Sequence, residues 1–243
     1  LVEFLTKEFN RLPNHWTQKV WLMIIRCFVR YLASGGHIPI GWDAALPKVV
    51  NRKHASLPRF LSQEQTGALW QACRGERPRD LRDRALLLLF TRLGLRTEEV
   101  AGLTLADIDW KGGEISIRAT KTRRDRTLPL PWDVGEGLIA HLRVQPPRSP
   151  WLFVPRRPPF KEKRSYDHVR NSMVSLFKRA GLGHARLHSL RHTAATEMVN
   201  RGATFKSIAD VLGHKSLSST LIYAKLDMTA LAQVCLPWPG GAL

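Results

Sequence analysis

The stretch LHSLRHTAATEMVNRGATFKSIADVLGHKSLSSTLIY, Leu187 to Tyr223, gathers a histidine, an arginine, a second histidine and a tyrosine in one short segment. His188 and Arg191 are three apart, so a helix beginning near Ser189 projects them to one side. A second helix should stop at Gly213, with His214 just past it, and Tyr223 sits in an apolar-polar run that again reads helical. Together the four side chains are able to hold a phosphate and offer it a nucleophile. Taken singly, His214 is equally a favourable cation at a helix C-terminus, and Tyr223 equally a core aromatic with its hydroxyl satisfied.

Upstream, Val169, Met173, Leu176 and Phe177 predict a helix over Ser165 to Ala180. Pro146, Pro147, Pro150, Pro155, Pro158 and Pro159 exclude regular helix before it, and Trp132 to Val144 reads as another helix. Two strands, Glu114 to Ala119 and Thr127 to Leu130, flank the basic tip TKTRRDR. Asp80 to Leu93 is apolar all round at its centre, from Ala85 to Phe90, and so reads as a buried helix. It breaks at Gly94, which leaves Arg96 at a turn against the core, with Thr97 as the expected cap of a short helix bearing Glu98 and Glu99. Ser62 and Gln65 have capping-box spacing.

The ordered series His188-Ser-Leu-Arg191, Leu212-Gly213-His214 and Tyr223, preceded by Gly94-Leu95-Arg96-Thr-Glu-Glu99, resembles the tyrosine recombinase (phage integrase) family. The resemblance covers about residues 85 to 225 and extends loosely to the helical N-terminal part. Ser189 departs from it, standing where an acidic residue is common. The resemblance implies that Arg96 and Arg191 clamp phosphate, that Lys121 on the hairpin tip is the catalytic lysine, and that His188 and His214 join them around Tyr223 as nucleophile. It also implies that Glu99 orients neighbouring site groups.

The chemistry of these side chains agrees. Moving a phosphodiester without hydrolysing it needs a nucleophile that keeps the bond energy in a new ester. Arginine forks hold non-bridging oxygens, His188 is a base or proton store, His214 donates to phosphate or positions Tyr223, and Lys121 protonates the leaving 5′-oxygen. No metal or cofactor is needed. His184, His188 and His192 recur at four-residue spacing, but no acidic residue or cysteine lies among them.

Composition points the same way. The formal net charge of +18 calls for a polyanionic partner, and double-stranded DNA comes first. No apolar run is long enough to span a membrane, and three scattered cysteines, Cys27, Cys73 and Cys235, fit neither a disulfide framework nor a metal site. A cytoplasmic, nucleoid-associated protein is expected.

The chain opens at Leu1 inside a helical pattern, so its N-terminus reads as truncated. Val20, Met23, Ile24, Cys27, Phe28 and Tyr31 form the apolar stripe of the next helix, with Lys19, Arg26 and Arg30 on a basic face suited either to a DNA backbone or to solvent. A proline-bracketed segment carrying Arg52 and Lys53 reads as a basic linker. The expected organisation is therefore mainly α with a small antiparallel β-hairpin sheet. Residues 1–56 form a partial helical DNA-binding lobe and 57–243 a catalytic domain, with Arg123, Arg124 and Arg126 as further DNA contacts. The resemblance implies that the apolar tail, 226–243, docks on a neighbouring subunit. By resemblance the function is site-specific DNA recombination through a 3′-phosphotyrosine, in a homo-tetramer on paired sites. A type IB topoisomerase-like relaxing enzyme and a non-catalytic DNA-binding factor of the same fold are the alternatives.

Overall fold

The structure is a computed structural model, and it describes residues 2–12, 15–46, 60–118, 125–146, 149–155, 166–214, 220 and 223. The chain divides into two compact units, Leu1–Ser56 and Leu57–Leu243. The linker with Arg52 and Lys53, the hairpin tip with Lys121, Arg123 and Arg124, and the tail lie outside the described residues.

In the first unit, α1 (Val2–Arg11) and α2 (His15–Ser34) are followed by a 3₁₀ turn, Trp42–Ala45. Leu22, Val29 and Leu46 are buried together, with Phe9, Trp21, Ile25 and Ile38 against them. This corrects the expected orientation of α2. Met23, Ile24, Phe28 and Tyr31, read as the buried stripe, are all more than half exposed. The helix carries apolar residues on two faces, and periodicity does not say which face the following segment will cover. The cover comes from residues 38–46, on the side of the basic residues. Arg26 donates to the Leu46 carbonyl at 3.5 Å and Arg30 pairs with Asp43 at 2.8 Å, while Lys19 is exposed.

In the second unit, α3 (Gln63–Ala72) opens with the expected capping box: Ser62 Oγ accepts from the Gln65 N–H at 3.2 Å, and Gln65 Oε1 accepts from the Ser62 N–H at 3.0 Å. α4 (Pro78–Arg92) starts on a proline at its first helical position, where no N–H is required. Every residue from Ala85 to Thr91 is buried, because α6 (Trp132–Val144), α7 (Tyr166–Arg179) and α8 (Leu187–Asn200) all pack against it. Arg179 bridges to Asp80 and Asp83 on the first turns of α4 and to the Ala72 carbonyl of α3, which satisfies charges the core would otherwise strand.

The sheet has three antiparallel strands rather than a lone hairpin: β1 (Ile108–Asp109), β2 (Glu114–Ile117) and β3 (Arg126–Pro129), in that order. Ile115 pairs with Ile108 on one side and Leu128 on the other, so one apolar face is buried. The same register sets Arg126 opposite Ile117, at the end of β3 next to the tip.

α5 (Thr97–Ala101) follows Gly94, and α9 (Phe205–Leu212) precedes Gly213. Gly94 has φ +58° and lies so close to α9 that a Cβ there would meet Leu212 Cδ2 at 2.5 Å. Gly213 ends α9 in the left-handed region at φ +61°, as the sequence predicts. Ala195, Val199, Ile208 and Leu212 form a separate apolar cluster of α8 and α9, and the ring of Tyr223 completes it.

Candidate active site

The end of α9 organises the site. A helix leaves its last carbonyls without intrahelical partners and carries a partial negative charge there, and three arginines from three elements take up those oxygens. Arg126 Nε donates to Val211 at 2.9 Å. Leu212 accepts from Arg191 at 2.5 Å and from Arg96 at 3.0 Å, and Gly213 accepts from Arg96 at 3.1 Å. Arg191, from the second turn of α8, also donates to the Gly94 carbonyl at 2.6 Å. The glycine turn and the helix end thus fix the aim of Arg191 from two sides.

Glu99 is the buried anion of this cluster. Its Oε1 accepts from Arg96 at 2.9 Å and from Arg126 at 3.1 Å, and its Oε2 accepts a second bond from Arg126 at 3.1 Å. Oε2 also takes the backbone N–H of Arg96 at 2.8 Å. Arg96, not Thr97, is therefore the residue that caps α5, and it does so through its main chain, since an arginine side chain cannot accept. Burial alone would raise the Glu99 pKa, but the hydrogen bonds and charge of Arg126, then those of Arg96, outweigh it and hold the carboxyl below its usual range.

Arg126 has a structural place in this geometry. Sequence reading grouped it with the DNA contacts of the tip, yet its guanidinium is spent on Glu99 and Val211 and its side chain is only 12% exposed. It braces the site from β3. Nothing local in sequence announces this, because its partners lie 27 and 85 residues away.

α8 begins at Leu187, earlier than expected, so His188 and Arg191 both sit in its first two turns. They line an open cleft of about 530 Å³ together with Arg96, Thr97, Tyr166 and Arg170. Arg191 is 2% exposed; burial first, then Arg96, lowers its pKa to about 9, which still leaves it charged at neutral pH. His188 lies at the solvent edge, where desolvation and then Arg191 and Arg96 lower its pKa.

Tyr223 is 1% exposed and is not part of the cleft lining. Burial pushes its phenol up to about 12, against the opposing charges of Arg191 and Arg96. Its hydroxyl lies 2.7 Å from Nδ1 of His192, a residue that sequence reading weighed only as a metal ligand. His214 Nδ1 pairs with Thr220 Oγ1 at 2.7 Å, three residues before Tyr223. Burial, then Arg191 and Arg96, lowers the His214 pKa to about 4. Of the six expected catalytic residues, five are thus brought to one region, and Lys121 lies outside the described residues.

A sequence model described as the phage integrase family matches residues 59–230. The chain belongs to the phage integrase family. This family member is 35% identical over 246 residues to the putative integrase/recombinase y4rA of Sinorhizobium fredii, a match covering 100% of the chain and 59% of that relative. It is 36% identical over 179 residues to the tyrosine recombinase XerA of Pyrococcus furiosus, covering 73% of the chain and 61% of XerA. The chain therefore spans about three fifths of the length of these relatives. Among solved structures, a XerA recombinase aligns with a TM-score of 0.62 at 23% identity, covering 96% of this chain and 94% of that one. The XerH site-specific recombinase bound to palindromic difH substrate in a post-cleavage complex aligns at 0.75 and 20% identity, covering 98% and 71%. At such identity these two likenesses speak for the fold.

Proposed function

We propose that the chain is the catalytic part of a site-specific DNA recombinase that cuts and rejoins strands through a covalent 3′-phosphotyrosine. The observation that carries this reading is the gathering of Arg96, Arg191, His188 and His214 beside Tyr223, each fixed by α8 or the ends of α5 and α9. In the proposed reaction the Tyr223 oxygen attacks phosphorus and the bond to the 5′-oxygen breaks, with Lys121 protonating the departing oxygen. Arg96 and Arg191 hold the non-bridging oxygens and offset their growing charge. Reversal, by attack of a 5′-hydroxyl on the phosphotyrosine, reseals the strand without an external energy source.

The finer assembly belongs to the same proposal: double-stranded DNA as partner, residues 1–56 as a DNA-binding lobe, and a homo-tetramer on paired sites linked by tails 226–243. Nucleoid association would follow from DNA binding.

The test uses a nicked duplex whose cleaved fragment diffuses away, so that adduct accumulates. Tyr223→Phe removes one oxygen and keeps the ring in the α8 and α9 cluster, so DNA affinity should hold while the adduct disappears. Tyr166 lines the cleft beside Arg96 and His188 and is the informative control. An adduct that survives in Tyr223→Phe and maps to Tyr166 would overturn the assignment, and intact DNA with the unaltered protein would favour a non-catalytic binder. Relaxation of supercoils without paired sites would favour the topoisomerase-like reading.

A further inference from the structure

The reading of Tyr223 as nucleophile leaves open where its proton goes, and the inference here rests on that reading. We propose that His192 is a catalytic residue that accepts the phenolic proton of Tyr223 as the tyrosine attacks phosphorus, a role for which His188 is placed less well. The hydroxyl of Tyr223 lies 2.7 Å from Nδ1 of His192, and the two rings meet with centroids 5.7 Å apart at 55°. With Nδ1 accepting the phenol hydrogen, the neutral ring carries its proton on Nε2. His188 touches the other side of His192, edge-on at 4.5 Å and 74°, and stands on the cleft wall where phosphate would enter. Its place suits a bond to the phosphate better than one to the phenol.

The step balances. A lone pair of the phenolic oxygen forms the bond to phosphorus, and the proton passes to Nδ1, giving an imidazolium. The bond from phosphorus to the 5′-oxygen breaks with its electron pair on oxygen, which takes a proton from the general acid. Religation runs both transfers backward.

The surroundings explain why the transfer waits for DNA. Burial, then His188 and Arg191, lowers the His192 pKa to about 4, while burial raises Tyr223 to about 12. A gap of roughly eight pH units keeps the proton on the phenol at rest, so no reactive phenolate stands ready. The gap closes in the attack itself, because the phenol becomes strongly acidic as its oxygen bonds to phosphorus. His214, just beyond α9, interacts with His188 and His192 and is held neutral chiefly by burial, then by Arg191 and Arg96.

The test compares single-turnover cleavage by His192→Ala, His192→Asn and His188→Asn across pH, with DNA affinity and melting temperature as checks on folding. Asparagine places its carbonyl oxygen near the position of Nδ1, so it still accepts the phenol's hydrogen bond but is no base. If His192 takes the proton, both His192 variants should slow by about 10² to 10⁴, the usual span for a general base. Their rates should climb roughly tenfold per pH unit as hydroxide takes over, where the unaltered protein is flat near neutrality. Added imidazole should restore part of the activity of His192→Ala, and His188→Asn should gain no such slope. A His192→Asn protein with unaltered rate and pH profile would overturn the proposal, since the residue would then only hold the hydroxyl. Tyr223→Phe runs alongside: an adduct that survives it sinks the nucleophile assignment itself, whereas loss of the adduct with an active His192→Asn sinks the base assignment alone.

Discussion

Glu99 is the anion on which two of the three clustered arginines depend for their aim. Its carboxylate takes four hydrogen bonds from Arg96 and Arg126, and its side chain is 2% exposed. Glu99→Gln keeps the shape but turns one oxygen into a donor that faces guanidinium groups, and it leaves three cations clustered without their counter-charge. Removing one partner of a buried pair costs about 3 to 5 kcal/mol, and the urea midpoint should fall accordingly at neutral pH. Because the folded carboxyl is held below its usual 4.5, its contribution is full above the unfolded value and is lost only as pH falls through the lower folded one. Cleavage should slow as well, since Arg96 loses one of its two bonds to this side chain, through either its guanidinium or its main chain, and the charge behind both. An unchanged midpoint would mean that the α9 carbonyls alone hold the arginines.

At the scale of elements, the end of α9 does two jobs: it stops a helix and presents carbonyls to Arg96, Arg126 and Arg191. Gly213→Ala tests both together. A Cβ at φ +61° is strained by roughly 1 to 2 kcal/mol, and it would lie 2.8 Å from Arg126 Nη1. The variant should lose at least that much stability and cleave more slowly, and full activity with a normal midpoint would show that Arg126 yields freely. Much of this element was legible in the sequence. The Gly213 stop, the Ser62 box, the apolar centre of α4 and the Ile115 and Ile117 strand all follow from local patterns that the structure reproduces. Harder to read were contacts with no local signature. The partner of Arg126 is a backbone oxygen on another element, and His192 meets Tyr223 across 31 residues. The buried face of α2 was misread because apolar residues lie on both of its sides, and only the packing of residues 38–46 decides between them.

Among the described residues of the whole chain, four histidines, His141, His168, His192 and His214, are held near a pKa of about 4, in each case chiefly by burial. All four are neutral in the fold and take up protons on unfolding once the pH drops below their ordinary 6.5. A base whose folded pKa is depressed contributes full stability above the unfolded value, and that contribution declines as pH falls from about 6.5 towards 4. Asp83 works in the opposite sense at lower pH, since burial raises its carboxyl. His141 allows the cleanest measurement, because it is 0% exposed, stacks on Phe153 at 5.2 Å and is not shifted by any of the three clustered arginines. Lowering its pKa from 6.5 to about 4 corresponds to a loss on the order of 3 kcal/mol across that window. His141→Phe preserves the stacked ring and removes the titration, so it should melt close to the unaltered protein at pH 7.5 yet lose less stability by pH 5. The formal net charge of +18 adds self-repulsion as the remaining histidines charge, so the comparison is run at one fixed ionic strength. Urea midpoints at pH 7.5, 6.5, 5.5 and 5.0 give the slope for each protein. If the two slopes coincide, His141 does not titrate with unfolding, and the acid sensitivity comes from other groups, His168 and the histidines around Tyr223 among them.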